Sequence, residues 1–251
     1  MIKHLFQSKD LIDDDSAQWI FDVFEWATTC FDKEEFVQRS VLVQPSNEYF
    51  PGKVENQHQL AENIFNRTLQ YAGLQGWPFV LVKPDEFMPL PPPNLNISPT
   101  TAIHRNSQTP RLLPCKAEAQ LKLSYRPEQT GKPADLSSNF AHLIAQHLVM
   151  QSGNLPPGGN DLVLPATEVL AIYLGFGVLF ANSAYAFRGG CGSCYNAKAN
   201  RQSSLTEDET VFTLALYCHK KRISKRDATR YLKPHLKTSY QRAIKQIEKI
   251  S

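Results

Sequence analysis

His142, His147, Glu168 and the pair Cys191 and Cys194 are the residues of this chain whose types and spacing could do chemistry. The two histidines are five residues apart in a segment of helical periodicity, about 500° around an ideal helix and so roughly 140° from one another. They face different ways and cannot close on one metal ion. A lone His142 on a helix face reads as a hydrogen-bonded rim residue. Glu168 opens a long apolar helix, where an acid in the first turn is favoured by the helix dipole. Cys191 and Cys194 form the single C-x-x-C of Gly189-Gly190-Cys191-Gly192-Ser193-Cys194. That spacing lets two thiolates converge on zinc or on a redox centre. A second pair is missing: Cys218 and His219 lie 24 residues on and are adjacent to each other, so both would rarely reach the same tetrahedral ion. No strand-turn-helix context surrounds the motif, and it reads as ordinary loop thiols.

Other chemistries lack their signatures. The loop Pro156-Pro157-Gly158-Gly159-Asn160-Asp161 has neither the Gly-Lys-Ser/Thr ending nor the preceding strand of a phosphate loop, and reads as a turn. No serine sits in a nucleophile elbow, and Cys115, between Pro114 and Lys116, has no recognisable histidine companion. His4, His58 and His104 show no partner.

The elements that must position these residues mix helix and strand. Asp13-Asp14-Asp15-Ser16 supplies caps for a helix over 16–32, whose apolar set Ile20, Phe21, Val23, Phe24, Ala27, Cys30 and Phe31 recurs at helical spacing. Val41-Leu42-Val43 reads as a strand ending at Pro45. A helix follows over 57–72, closed by Gly73, and then a strand over 79–82. Five prolines in residues 88–99 forbid regular helix and favour an extended connection. Residues 120–125 alternate cleanly, with Leu121, Leu123 and Tyr125 on one face, and predict a strand. Helices are then expected over 135–151 and, as one long apolar helix, over 166–187. Thr206-Glu207-Asp208-Glu209 is a capping box opening a helix to about residue 220, and basic helices over 224–232 and 235–249 finish the chain.

The strand, connection and helix over 121–149 resemble an uncharacterised bacterial family related to zincin-like metallopeptidases. Its helix carries the pattern A-H-E-L-A-H-x-L, matched here by Ala141-His142-Leu143-Ile144-Ala145-Gln146-His147-Leu148. The resemblance extends through the Trp26 helix, Phe50-Pro51-Gly52, residues 167–177, Ala181-Asn182-Ser183-Ala184 and residues 205–216. It implies a zincin-like α+β fold, a small sheet packed on core helices. The implied domain spans 1–251, divisible into an N-terminal mixed region (1–87), the proline-rich connection (88–99), a core (100–218) and a basic helical tail (219–251). In an H-E-x-x-H helix the two histidines bind zinc and the glutamate activates the metal-bound water. Here Leu143 stands at the glutamate position and can accept no proton. Gln146 stands at the second histidine position and offers a neutral amide oxygen, a weak zinc ligand. Glu168 corresponds to the family's third ligand. The resemblance thus implies a vestigial site of His142, Gln146 and Glu168, no catalytic residue and no resident cofactor. Any zinc would be held weakly, by His142 and Glu168.

Composition bounds the rest. With 251 residues, 42% of them hydrophobic, the chain can build a core without disulfides. Five cysteines at irregular spacing suit reduced thiols. The N-terminus shows no secretory signal, and the apolar stretch over 169–181 is shorter than the ~18 residues of a membrane span, so a cytoplasmic protein without membrane attachment is expected. The net charge of +3 conceals 11 Lys or Arg against two acids in residues 219–251 and −6 on the remainder. The functional expectation is a catalytically inactive protein that binds an unidentified protein partner. One alternative is a metal-dependent hydrolase with an altered site. The other is a nucleic-acid-associated protein using Lys220, Lys221, Arg222, Lys225 and Arg226.

Overall fold

The computed structural model describes residues 10–95, 103, 105, 120–184 and 203–250. The fold is mostly helical with one small sheet, an α+β arrangement. Helix α1 (Asp14–Cys30) starts where the Asp13 carboxylate accepts the Ser16 N–H at 2.8 Å, with Asp14 and Asp15 against the positive end of the helix dipole. Its 3.6-residue apolar stripe buries Ala17, Ile20, Val23, Phe24 and Ala27. A short helix α2 (Lys33–Gln38) follows, capped by Asp32, which itself sits in the left-handed region at φ 62°. Asn56 caps α3 (Gln57–Tyr71), and Gly73, at φ 71°, carries the chain out of it.

Strands β1 (Phe79–Leu81) and β2 (Leu121–Leu123) pair in parallel, Phe79 opposite Leu121 and Leu81 opposite Leu123. Alternation puts Leu121 and Leu123 inward and Lys122 outward. The ladder is shorter than the 120–125 pattern, because β1 offers only three residues to pair with. The segment over 41–43 is not a strand of this sheet. Leu42 and Val43 are buried, but the Val43 N–H donates at 2.9 Å to the Gly175 carbonyl of a helix.

Helix α4 (Pro133–Ser152) begins with a proline, which needs no amide partner in the first turn, and ends at Gly153, φ 64°. Leu136, Phe140, Ala141, Ile144, Ala145 and Leu148 place it in the centre of the core, against α3. The long apolar helix is not continuous. A 3₁₀ turn (Gly159–Leu162) leads into α5 (Val163–Ala171), a π turn (Ile172–Phe176) interrupts it, and α6 (Gly177–Ser183) completes the described part. Gly175, at φ 109°, is the break. A Cβ there would collide with the Val41 carbonyl oxygen, so only glycine lets the 41–43 segment lie against the turn. The helical run Gly159–Ser183 has 25 residues and a most apolar window of mean hydropathy 1.9, long enough to cross a membrane, unlike the shorter stretch read from sequence. However, 78% of that window is buried among other elements of the protein, which makes it a core helix.

Thr206 and Glu209 form the expected capping box of α7 (Glu207–Lys220), buried from Thr210 to Cys218. After the short helix α8 (Lys225–Thr229), α9 (Leu236–Ile250) lays Leu236, Tyr240, Ala243 and Ile247 on α7. The Gln246 amide accepts the Leu11 N–H at 2.9 Å and donates to the Ile12 carbonyl at 2.9 Å, fastening this basic helix to the start of the chain. One hydrophobic cluster runs from Leu11 to Ile247.

Candidate functional site

Beyond β2 the chain stays extended through residues 124–126, turns through a 3₁₀ segment (Pro127–Gly131) and enters α4. Between this extended stretch and α4 lies an open groove of about 440 Å³. Ser124, Tyr125 and Arg126 form one wall, Asn139, His142 and Leu143 of α4 another, and Pro84 and Phe87 the third. Its shape follows from the fold. Ser124 donates to the Val82 carbonyl at 2.9 Å, holding the extended stretch to the sheet, while the helical turn from residue 139 to 143 brings three α4 side chains to the same face. Tyr125 is fixed from behind by His58, whose Nδ1 lies 3.1 Å from the phenol oxygen and whose Nε2 is 3.3 Å from Glu62.

The residues singled out from sequence are distributed unevenly around this groove. His142, half-buried, and Leu143 line it. Gln146, one turn further along α4, and Glu168 are not part of its lining. His147 turns away, as its angular offset requires, and meets the Phe79 ring edge-on at 5.7 Å. Burial lowers the His147 pKa, so its imidazole is held neutral.

Glu168 is fully buried and its carboxylate is occupied. One oxygen accepts the Ser204 N–H at 2.9 Å and the other the Leu205 N–H at 3.1 Å, while the Ser203 hydroxyl, 3.2 Å from that second oxygen, shares its one proton between it and the Leu205 carbonyl at 2.7 Å. The reading of Glu168 as a first-turn acid is corrected, because α5 starts at Val163 and Glu168 is five residues inside. Pro165, tolerated in a first turn, lets the helix begin earlier than the apolar run suggests. Its role is to anchor the backbone that leads into α7, where charge-assisted hydrogen bonds of this kind are roughly twice as strong as neutral ones.

A zinc ion of the zincin type would need two imidazoles, a carboxylate with a free lone pair and a general base. The side chains present do not fit that requirement. Leucine and glutamine occupy two of the four positions, and the carboxylate is engaged by two backbone N–H groups. Among the described residues no three His, Cys, Asp or Glu side chains are grouped so as to hold a metal. Cys191 and Cys194 lie outside the described residues, as do His4, His104 and Cys115. Cys30 and Cys218 are free thiols.

Sequence reasoning gave no role to Arg105, which proves to be almost completely buried. Its backbone N–H donates to Asp32, and its side chain donates to the Phe31 carbonyl at 2.9 Å and the Ala72 carbonyl at 3.0 Å. The guanidinium lies 5.6 Å from the centre of the Tyr173 ring, and burial lowers its pKa and raises that of Tyr173 to about 12. No periodic pattern surrounds residue 105, so nothing local marks it as a core residue. Tyr125 and Asn139 were missed as groove residues for a different reason: Asn139 lies on a helix read correctly and Tyr125 just beyond the paired part of its expected strand, but their convergence depends on how the extended stretch after β2 lies against α4.

No family model matches the chain, and the comparisons with curated proteins and with solved structures found no match.

Proposed function

We propose that the chain is a catalytically inactive, zincin-like protein that works in the cytoplasm by binding an extended segment of a protein partner in the groove beside His142. The observation that carries this reading is the commitment of Glu168. A fully buried carboxylate that accepts two backbone N–H groups at the entrance of α7 is committed to holding the fold together, which supports a structural rather than a metal-binding role. Leu143 supports it from the groove side, since a leucine beside His142 removes the proton acceptor that hydrolysis requires. The groove suits a partner in extended conformation. Tyr125, Phe87, Pro84 and Leu143 give it apolar area, while Arg126, Gln129 and Asn139 supply polar groups along it.

The test is to incubate the purified, untagged chain with a mixed peptide library, with and without added zinc, and to follow cleavage by mass spectrometry. No cleavage is expected in either case. Zinc-stimulated cleavage that disappears in His142→Ala would overturn the reading.

A further inference from the structure

A second groove, of about 600 Å³, lies between the C-terminal end of α7, the connection to α8 and the outer face of α9. Four basic residues line it from three helices and a connection: His219 in the last turn of α7, Arg222 in the connection, Lys225 at the start of α8 and Lys245 on α9. Glu248 is the one carboxylate in the lining, so with a neutral imidazole the side chains carry +2. None of the Arg222, Lys225 and Lys245 side chains makes a hydrogen bond or ion pair among the described residues. Lys221, in the same basic run, differs: its ammonium donates to the Phe36 and Val37 carbonyls at 2.7 and 2.9 Å.

Beneath the cations the floor is apolar and uncharged. Ile223 and Ile244 are half-buried, with Cys218 and Tyr240 buried below. Burial pushes the Cys218 thiol up to about 12 and raises the Tyr240 phenol as well, so neither places a negative charge under the rim.

Arg222 adds a separate argument. Helix α7 ends with the Ile223 N–H bonded to the Cys218 carbonyl at 2.9 Å and the Arg222 N–H to the His219 carbonyl at 3.1 Å. This paired ending places Arg222 in the left-handed region, φ 54°, where glycine is the usual and least strained residue. Complementing the helix dipole accounts for basic residues in the last turn of α7, but not for an arginine at a glycine position or for a lysine contributed by α9.

We propose that this groove binds a small phosphomonoester carried on an aromatic or apolar body, with the Arg222 guanidinium and the Lys225 and Lys245 ammonium groups on the phosphate and the body over Ile223 and Ile244. A phosphomonoester carries about −1.5 to −2 charges at pH 7, matching the groove's +2, and a guanidinium can grip two of its oxygens at once. The concave shape and volume are those of a small-ligand site, for which about 300–1,000 Å³ is typical, and the apolar floor has no use in tracking a nucleic-acid backbone.

The test is calorimetric titration of the full, untagged chain with phenyl phosphate at low salt, alongside inorganic phosphate and a short DNA duplex. One saturable site is expected, tighter for phenyl phosphate than for inorganic phosphate. Arg222→Gly should weaken it about tenfold or more with no fall in melting temperature, the glycine being better suited to the backbone; Lys245→Gln should weaken it similarly. Absence of a saturable site, equal affinity for inorganic phosphate, or affinity unchanged by Arg222→Gly would each overturn the proposal. Binding of the duplex without any phenyl phosphate site would overturn it in favour of nucleic acid.

Discussion

The Glu168 carboxylate accepts the backbone N–H of Leu205 at 3.1 Å across 37 positions of sequence, and with the Ser203 and Ser204 donors it ties the middle of the buried apolar helix to the entrance of α7. Glu168→Ala should therefore act on stability. It leaves the buried Leu205 N–H and the part-buried Ser204 N–H without their acceptor, a cost of about 1–3 kcal/mol, which in a domain of this size lowers the melting temperature by roughly 2–12 °C. Thermal unfolding followed by circular dichroism checks it. An unchanged melting temperature would show that the carboxylate is not a structural anchor.

Gly175 makes a second stability prediction. Gly175→Ala forces a Cβ into the Val41 carbonyl oxygen and places an L-residue at φ 109°. A loss of at least about 2 kcal/mol in urea unfolding is expected, opposite in sign to the gain of about 1 kcal/mol that alanine brings at an ordinary helical glycine.

His147 gives the pH dependence. Its pKa is lowered below 6.5 by burial, so the native state resists a proton that the unfolded state accepts. Its contribution is therefore fully present above the unfolded value and is lost as pH falls through about 6.5 towards the lowered native value. Stability measured between pH 5 and pH 8 should decline on the acid side, and His147→Leu, which keeps an apolar contact with Phe79, should flatten the part of the decline that this imidazole causes.

Gln246 tests whether the basic C-terminal helix is integral to the fold. Gln246→Leu removes three hydrogen bonds to residues 11 and 12 and strands the buried Leu11 N–H and the part-buried Ile12 carbonyl, for an expected loss of about 1–3 kcal/mol. If α9 were a detachable tail the same change would leave global stability unaltered.

Much of the helical framework was legible because its signals are local. Asp13 with Ser16 and Thr206 with Glu209 mark two helix starts, and Gly73 and Gly153 mark two ends, each through a contact within a few residues. The misreadings share a non-local cause. Val41, Leu42 and Val43 have the composition of a strand, but their partner is a helix carbonyl freed by the Gly175 break, which no window around residue 42 contains. The apolar run over 166–187 conceals that break, since a glycine within an apolar helix is compatible with continuous helix until another segment of chain approaches it. At the candidate site, His142 and Leu143 were singled out by the resemblance of residues 141–148 to the A-H-E-L-A-H-x-L pattern, whereas the attachment of Glu168 to residues 203–205 required two distant segments to meet. Arg105 represents the limit of this kind of reading, a charged residue whose burial is decided entirely by what surrounds it.

The most direct test of the account is the zinc content of the wild-type chain, purified without a metal-binding tag, incubated with zinc, dialysed and analysed for metal. The account predicts no zinc above the level of a dialysis blank, and no difference between wild type and His142→Ala. Stoichiometric zinc that is lost in both His142→Ala and Glu168→Gln would contradict it, since Glu168 would then be a ligand and not the anchor of residues 203–205.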